Sequence, residues 1–445
     1  MTMSTGLCFA FGVFQDLYQS MASEPDTPFT GASPAGIDLI GTLSVAFMTI
    51  FAPFVTALTK RFAPRHVIGS GGVLLFVAAV LASVSQRLWQ FQLTQGFLLG
   101  LATCCSFIPA VTVSPTHFGA RRALALGLIT SGTGIGGVIW GPALEALNAR
   151  VGFRDGLRIA GAVSGASIVL AGLALDWDDA SKARFRQEEA ATGKPVSLVK
   201  VPFVQWRIAK TRRFQAQAIA ATLQGAAYYT PVSPFSIPRP HQHPRHTRNL
   251  LNPSSSSCLV TTTQIFFFSA YARTLGYSSA SGANFIALSN ACNALGKIVI
   301  GLLADKYGRL NALLATTAVS ATASICLWLP SSLLASRPLF LAYTVCYGVF
   351  ASAYVSLFPS VVLEAFGPAQ FPAVYGSMYQ MRGLATFVGT PVAGALIRGA
   401  SGGGGGARAY WGTVVMVAGL LSAATASLAW ARVESGRGPI KGWRK

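Results

Sequence analysis

The feature that most limits what this chain can fold into is a succession of long apolar runs. Five come first: Ile37 to Thr59, Val67 to Ser85, Phe91 to Val113, Ala123 to Leu147 and Leu157 to Leu175. Five more follow a polar stretch: Ala280 to Ala304, Leu310 to Leu329, Pro338 to Phe366, Tyr375 to Ile397 and Tyr410 to Ala431. A helix needs about 20 predominantly apolar residues to cross the hydrocarbon of a bilayer. Charge points the same way: 11% of residues are charged, against about 25% in a soluble domain. A water-soluble surface cannot be built from so few charges, and intrinsic disorder is excluded by the same apolarity. The fold class is an all-α polytopic membrane protein. The seven cysteines have no CxxC spacing, so they read as buried thiols and not as a disulfide framework or metal site.

Two places break the pattern. The N-terminal apolar piece, Gly6 to Phe14, is too short to span, and Gln15 and Asp16 follow it. It lacks the basic n-region and cleavage site of a signal peptide. It reads as the C-terminal half of a truncated first helix whose start lies upstream of Met1. The second break lies between Phe214 to Val232 and Ile265 to Ala272. Ser233 to Gln264 carries five prolines, three histidines, three arginines and four consecutive serines. Such a segment cannot cross hydrocarbon, because its backbone polar groups would go unsatisfied. It reads as a retained intron that interrupts a seventh helix. A metal site at His241, His243 and His246 lacks a spaced set of partners, and no metal or cofactor is expected.

The expected plan is a six-helix bundle (1–175, first helix incomplete), a central loop (176–210) and a second six-helix bundle (211–445, with 233–264 as the insert). Lys and Arg then divide 21 to eight between the two sides. Basic residues concentrate in cytoplasmic loops. The bias places both termini and the central loop in the cytoplasm, and it explains the net charge of +20 without nucleic acid. No HExxH, GxSxG or P-loop is present, so an enzyme is not expected.

The strongest motif is Gly301-Leu302-Leu303-Ala304-Asp305-Lys306-Tyr307-Gly308-Arg309. Asp305 is placed to pair with a basic residue or with a helix N-terminus across a cytoplasmic gate. The loop resembles the GxLADKxGR loop of the major facilitator superfamily. Its first-half counterpart, Leu58 to Arg65, is degenerate: Lys60 stands where the acid should be. A second motif, His117 to Gly127, is similar to the YFxKRRxLAxG pattern of monocarboxylate transporters. Phe118, Arg121, Arg122, Leu124, Ala125 and Gly127 match it, while His117 and Ala120 depart. The following Ser131 to Gly137 offers a small-residue face for close helix crossing. Phe11 to Asp16 looks like fungal members of that family.

The resemblance implies two six-helix halves rocking about a site near the bilayer midplane. It also implies a basic residue on the eighth helix that engages substrate carboxylate. Lys297 holds that position, and Asn293 replaces the acid that accompanies it, so the usual proton relay loses its carboxylate. Asn290 and Tyr228 join Lys297 and Asn293 as candidate substrate contacts. Asn284, Gln224, Tyr229 and Tyr354 are further polar candidates for a cavity wall. Asp305, Arg309, Arg121, Arg122, Arg382 and Glu364 are candidate gate residues, with Glu364 as the partner expected for Arg382.

The function expected is secondary active transport of a small organic anion, such as a monocarboxylate, coupled to protons. The partners are that anion, protons and the lipid bilayer. The chain is expected to act as a monomer in the plasma membrane. A non-transporting sensor of the same fold, and a non-functional product of a mis-spliced gene, remain open at this point.

Overall fold

Helices cover the ten apolar runs. The structure is a computed structural model that describes residues 1–192, 206–228, 271, 275–277, 279–400 and 407–436. The chain opens with α1 (Ser4–Phe9) and α2 (Phe11–Met21). The bent pair α3 (Pro34–Ile50) and α4 (Ala52–Phe62) follows. Next come α5 (Pro64–Val84), α6 (Leu88–His117), α7 (Arg122–Val151) and α8 (Phe153–Leu173). A polar helix, α9 (Asp179–Thr192), precedes α10 (Arg212–Tyr228) and α11 (Ser279–Tyr307). The chain ends with α12 (Arg309–Leu334), α13 (Arg337–Ala351), α14 (Ala353–Ala400) and α15 (Trp411–Gly436). Among the described residues eight helical stretches are long and apolar enough to cross a membrane, or nine with the α3–α4 pair counted as one span. Several strongly exposed apolar side chains, Leu170, Leu173, Leu295, Leu334 and Val388, lie on such stretches, where lipid would face them.

Local chemistry explains the breaks. The α3–α4 pair bends by 50° at Phe51, and Pro53 in the first turn of α4 has no N–H to donate back across the joint. At 1.5 Å per residue, α14 as one rod would be about twice the ~30 Å of a hydrocarbon core. It is broken at Gly367, where φ is 75°, a conformation that glycine adopts without steric cost. This separates the run ending at Phe366 from the one beginning at Tyr375.

At the start of the chain, helix runs on past the apolar piece Gly6–Phe14. Helix continues through Gln15 to Met21, and two of its polar side chains find partners inside the bundle. Gln15 Nε2 donates to Asp38 Oδ1 at 2.7 Å and Tyr18 Oη donates to Gln95 Oε1 at 2.9 Å. The central loop is also more ordered than expected, since α9 forms within it. Trp177 is buried and donates its indole N–H to the Thr59 carbonyl at 3.1 Å. Phe185 of α9 packs edge-on against Trp177, and Lys60 lies over the Phe185 ring at 5.2 Å. A hydrogen bond from Lys182 holds the Asp176 carboxyl below its ordinary value. The interruption expected at 233–264 lies outside the described residues.

Two seams join residues before 176 to residues after 210. In the first, α7 crosses α11. A Cβ on Gly134 would sit 2.6 Å from the Asn290 carbonyl oxygen, and one on Gly301 would sit 2.7 Å from that of Ala123. In the second, α14 crosses α3 and α4. Gly376 lies against Pro53, and Gly383 against Thr49 and Ile50. At both seams helix backbones meet at a distance that only glycine permits. The stretch Ser131 to Gly137 in fact serves two neighbours: Gly134 meets α11, while Gly132 and Gly136 meet Thr2 at the start of the chain.

Candidate functional site

Each seam helix from the second half of the chain carries one buried cation. Lys297 is 1% exposed and Arg382 is 0% exposed. Lys297 lies seven residues after Asn290 on α11, two helical turns along the same face. Its Nζ donates to the Thr133 hydroxyl at 2.5 Å and to the Thr130 carbonyl at 3.1 Å, both on α7. The reach is therefore across the seam, not along its own helix towards Asp305. Among the described residues Lys297 forms no ion pair with a carboxylate. Its partners are two neutral oxygens, which lower the cost of burying the charge without neutralising it.

Arg382 does not sit where the sequence put it. It was expected near the gate with Glu364. Instead its guanidinium carbon lies 5.4 Å from the ring centroid of Tyr379, 5.5 Å from Tyr354 and 5.7 Å from Tyr228. Aromatic faces attract a guanidinium through the ring quadrupole. Gly225 of α10 abuts the Arg382 backbone, and Thr386 Oγ1 donates to the Gly225 carbonyl at 3.1 Å. That contact brings α10, and with it Tyr228, over the guanidinium. The helices that carry Lys297 and Arg382, α11 and α14, pack against each other, and Asn293 precedes Lys297 by about one turn on the same face. Lys297, Asn293, Tyr228 and Arg382 thus belong to one locus where the two seams converge. Asn290 is buried one seam contact away, against Gly134.

The sequence reading missed Thr130, Thr133 and Tyr379. A signal for Tyr379 was present in the spacing: it precedes Arg382 by three residues and so shares its helix face. The threonines lie within a stretch whose glycines drew attention to packing alone. The Asn284 side chain and Tyr229 lie outside the described residues.

The other gate candidates lie at the basic end of the bundle, where Asp305, Arg309 and Glu364 form a second cluster. Asp305 accepts the backbone N–H groups of Ala123 at 3.0 Å and Leu124 at 2.9 Å, and the Arg309 Nε–H at 3.1 Å. A carboxylate so placed satisfies orphan donors of the α7 N-terminus and complements its dipole. Arg309 also donates to the carbonyls of Gly119 and Ala120, and its other nitrogen lies 3.8 Å from Glu364. Glu364 therefore pairs with Arg309, not Arg382. Arg122 donates to the Phe118 carbonyl, and Arg121 is exposed at the start of α7. The corresponding place on the other seam has Lys60 at the end of α4, turned to Phe185 of the central loop. The two basic-end corners are chemically unequal.

Comparison with known proteins agrees with this architecture. The model of the Major Facilitator Superfamily matches residues 3–242 and 254–444. An MFS-type transporter of Gibberella moniliformis is 25% identical over 434 residues, covering 98% of this chain and 89% of the relative. The agnestins efflux protein AgnL12 of Paecilomyces divaricatus is 27% identical over 398 residues, covering 88% and 78%. Among solved structures, the human organic anion transporter MFSD10 (TETRAN) superposes with a TM-score of 0.63 at 16% identity, over 96% of this chain and 98% of that one. At that identity the likeness concerns the fold alone.

Proposed function

The chain belongs to the Major Facilitator Superfamily, and on that premise we propose that it moves a small organic anion, such as a monocarboxylate, by alternating access coupled to protons. That it is a multi-pass membrane transporter and not an enzyme follows from the family. The anion is carried by one observation: Lys297 and Arg382 are both buried cations on seam helices that pack against each other, α11 and α14. Two like charges in a low-dielectric interior repel, and a substrate carboxylate lying between them relieves that repulsion. The seams supply the motion. Backbones in contact through glycine can roll without side-chain interlock, so one half can rock on the other around a fixed site.

In this reading Lys297 binds substrate, with Asn293, Asn290 and Tyr228 orienting it. Asp305, Arg309, Glu364, Arg122 and Arg121 form the gate at the basic end. Arg382 moves from the gate set to the substrate set. The bias of 21 basic residues to eight supports cytoplasmic termini, and we assign the chain to the plasma membrane as a monomer. The domain plan carries over: two six-helix halves, 1–175 and 211–445, about the loop at 176–210.

The test is uptake of labelled organic acids into proteoliposomes holding the purified chain, at two external pH values. The proposal expects saturable uptake that rises when the external face is acidified. Uptake indifferent to pH would remove the proton, and no uptake of any organic acid would remove the anion. The efflux relative favours a second reading, export from the cell. Loading the same vesicles with acid and following its release with the basic end outward distinguishes the two directions.

A further inference from the structure

We infer that the substrate is an aromatic carboxylate, and that Tyr228, Tyr354 and Tyr379 select for its ring. The inference rests on the anion reading above and names the class of anion. Three tyrosine rings surround the guanidinium of Arg382 at 5.4 to 5.7 Å. Aromatic packing continues on both sides of these rings. Tyr379 stacks with Phe107 of α6 at 5.9 Å, which carries the aromatic packing across into the first half. Tyr228 stacks with Tyr347 at 6.5 Å, Tyr347 meets Tyr343 at 5.2 Å, and Tyr343 stacks on Trp328 at 4.9 Å.

Short aliphatic acids need charge and a small polar slot. They gain little from flat aromatic faces. A planar aryl acid gains from both parts of the site: its carboxylate meets Lys297 and Arg382, and its ring replaces or extends the tyrosine stack. Offset and edge-on ring pairs are favourable beyond the area they bury. The polar inventory fits an aryl acid with oxygen substituents. Tyr354 Oη, Gln224 Oε1 and Asn290 Nδ2 are buried and have no hydrogen-bond partner among the described residues. Buried polar atoms of this kind are exceptional and call for a partner. Together they offer both a donor and acceptors to a ring hydroxyl or carbonyl.

The experiment compares 4-hydroxybenzoate with lactate as labelled substrates in proteoliposomes of the full chain, wild type first. The inference expects an apparent KM for 4-hydroxybenzoate at least about tenfold below that for lactate, as one good ring pair provides. Tyr379→Leu should raise the KM for 4-hydroxybenzoate about five- to tenfold more than it raises that for lactate. Tyr379→Phe, which keeps the ring, should restore the wild-type value. Equal or better transport of lactate by the wild type overturns the aromatic assignment while the anion reading stands. So does a Tyr379→Leu effect that is the same for both acids. Transport of neither acid, in vesicles where the protein is shown to be folded, overturns the anion reading and this inference with it. The wild-type comparison requires no variant to fold.

Discussion

Replacing Asp305 by asparagine keeps its shape but removes the charge that two backbone N–H groups of α7 and the Arg309 guanidinium share. Hydrogen bonds to a charged group contribute about 1.5–3 kcal/mol each, and a helix N-terminus favours the anion further. The contact between α11 and α7 at the basic end should therefore open more often in Asp305→Asn. A cysteine placed at Ala123, which is buried where α7 meets α11, in a cysteine-free background, should react with a soluble maleimide about tenfold faster than in the parent, since ~1.4 kcal/mol is a factor of ten. An unchanged rate would show that Asp305 does not hold this end shut. The sequence placed Asp305 correctly because its role depends on a local loop and the start of one neighbouring helix. It misplaced Arg382, because distance along α14 from its basic end said nothing about Gly225 and the three tyrosines brought in from other helices.

At the scale of the helix, the seams make the sharpest demands. A side chain on Gly134 would strike the Asn290 carbonyl at 2.6 Å, whereas Gly69 has nothing within 4 Å of where its Cβ would be. Gly134→Leu should lower the thermal unfolding midpoint of the purified protein and abolish transport, with overpacking costing about 1–3 kcal/mol. Gly69→Ala should leave both unchanged or raise stability slightly, because alanine is the better helix former. Similar losses from the two substitutions would contradict the role given to the seam. Segment Ser233 to Gln264 makes a second demand at this scale. The family match breaks between residues 242 and 254, inside it. We expect the mature transcript to lack these codons, and a chain without them to reach the membrane in higher yield. A transcript that encodes all of Ser233 to Gln264 would contradict this. Helix positions were legible from apolar runs alone. Helix α9 and the extension of the first helix to Met21 were not, because both depend on polar and aromatic partners far away in sequence: Thr59 for Trp177, Asp38 for Gln15 and Gln95 for Tyr18.

For the whole molecule, the superfamily fold was readable from one nine-residue loop and the count of apolar runs. The site was only half readable. Lys297 stood out as a cation in an apolar helix, but its anchor on Thr130 and Thr133 belongs to the first half and could not be read from α11. That anchor gives Lys297 a double position: it holds the first seam together, and it presents charge where the second seam delivers Arg382. Alternating access follows if substrate carboxylate competes with the threonine oxygens for Lys297, so that binding loosens one seam while it draws the two cations together. The most direct test is solute counterflow of a labelled organic acid in proteoliposomes of the wild type, Lys297→Arg and Lys297→Ala, each shown to be folded by its thermal unfolding midpoint. Wild type should show a transient accumulation, Lys297→Arg a reduced one and Lys297→Ala none. Undiminished counterflow by Lys297→Ala would contradict the assignment of Lys297 to the anion site.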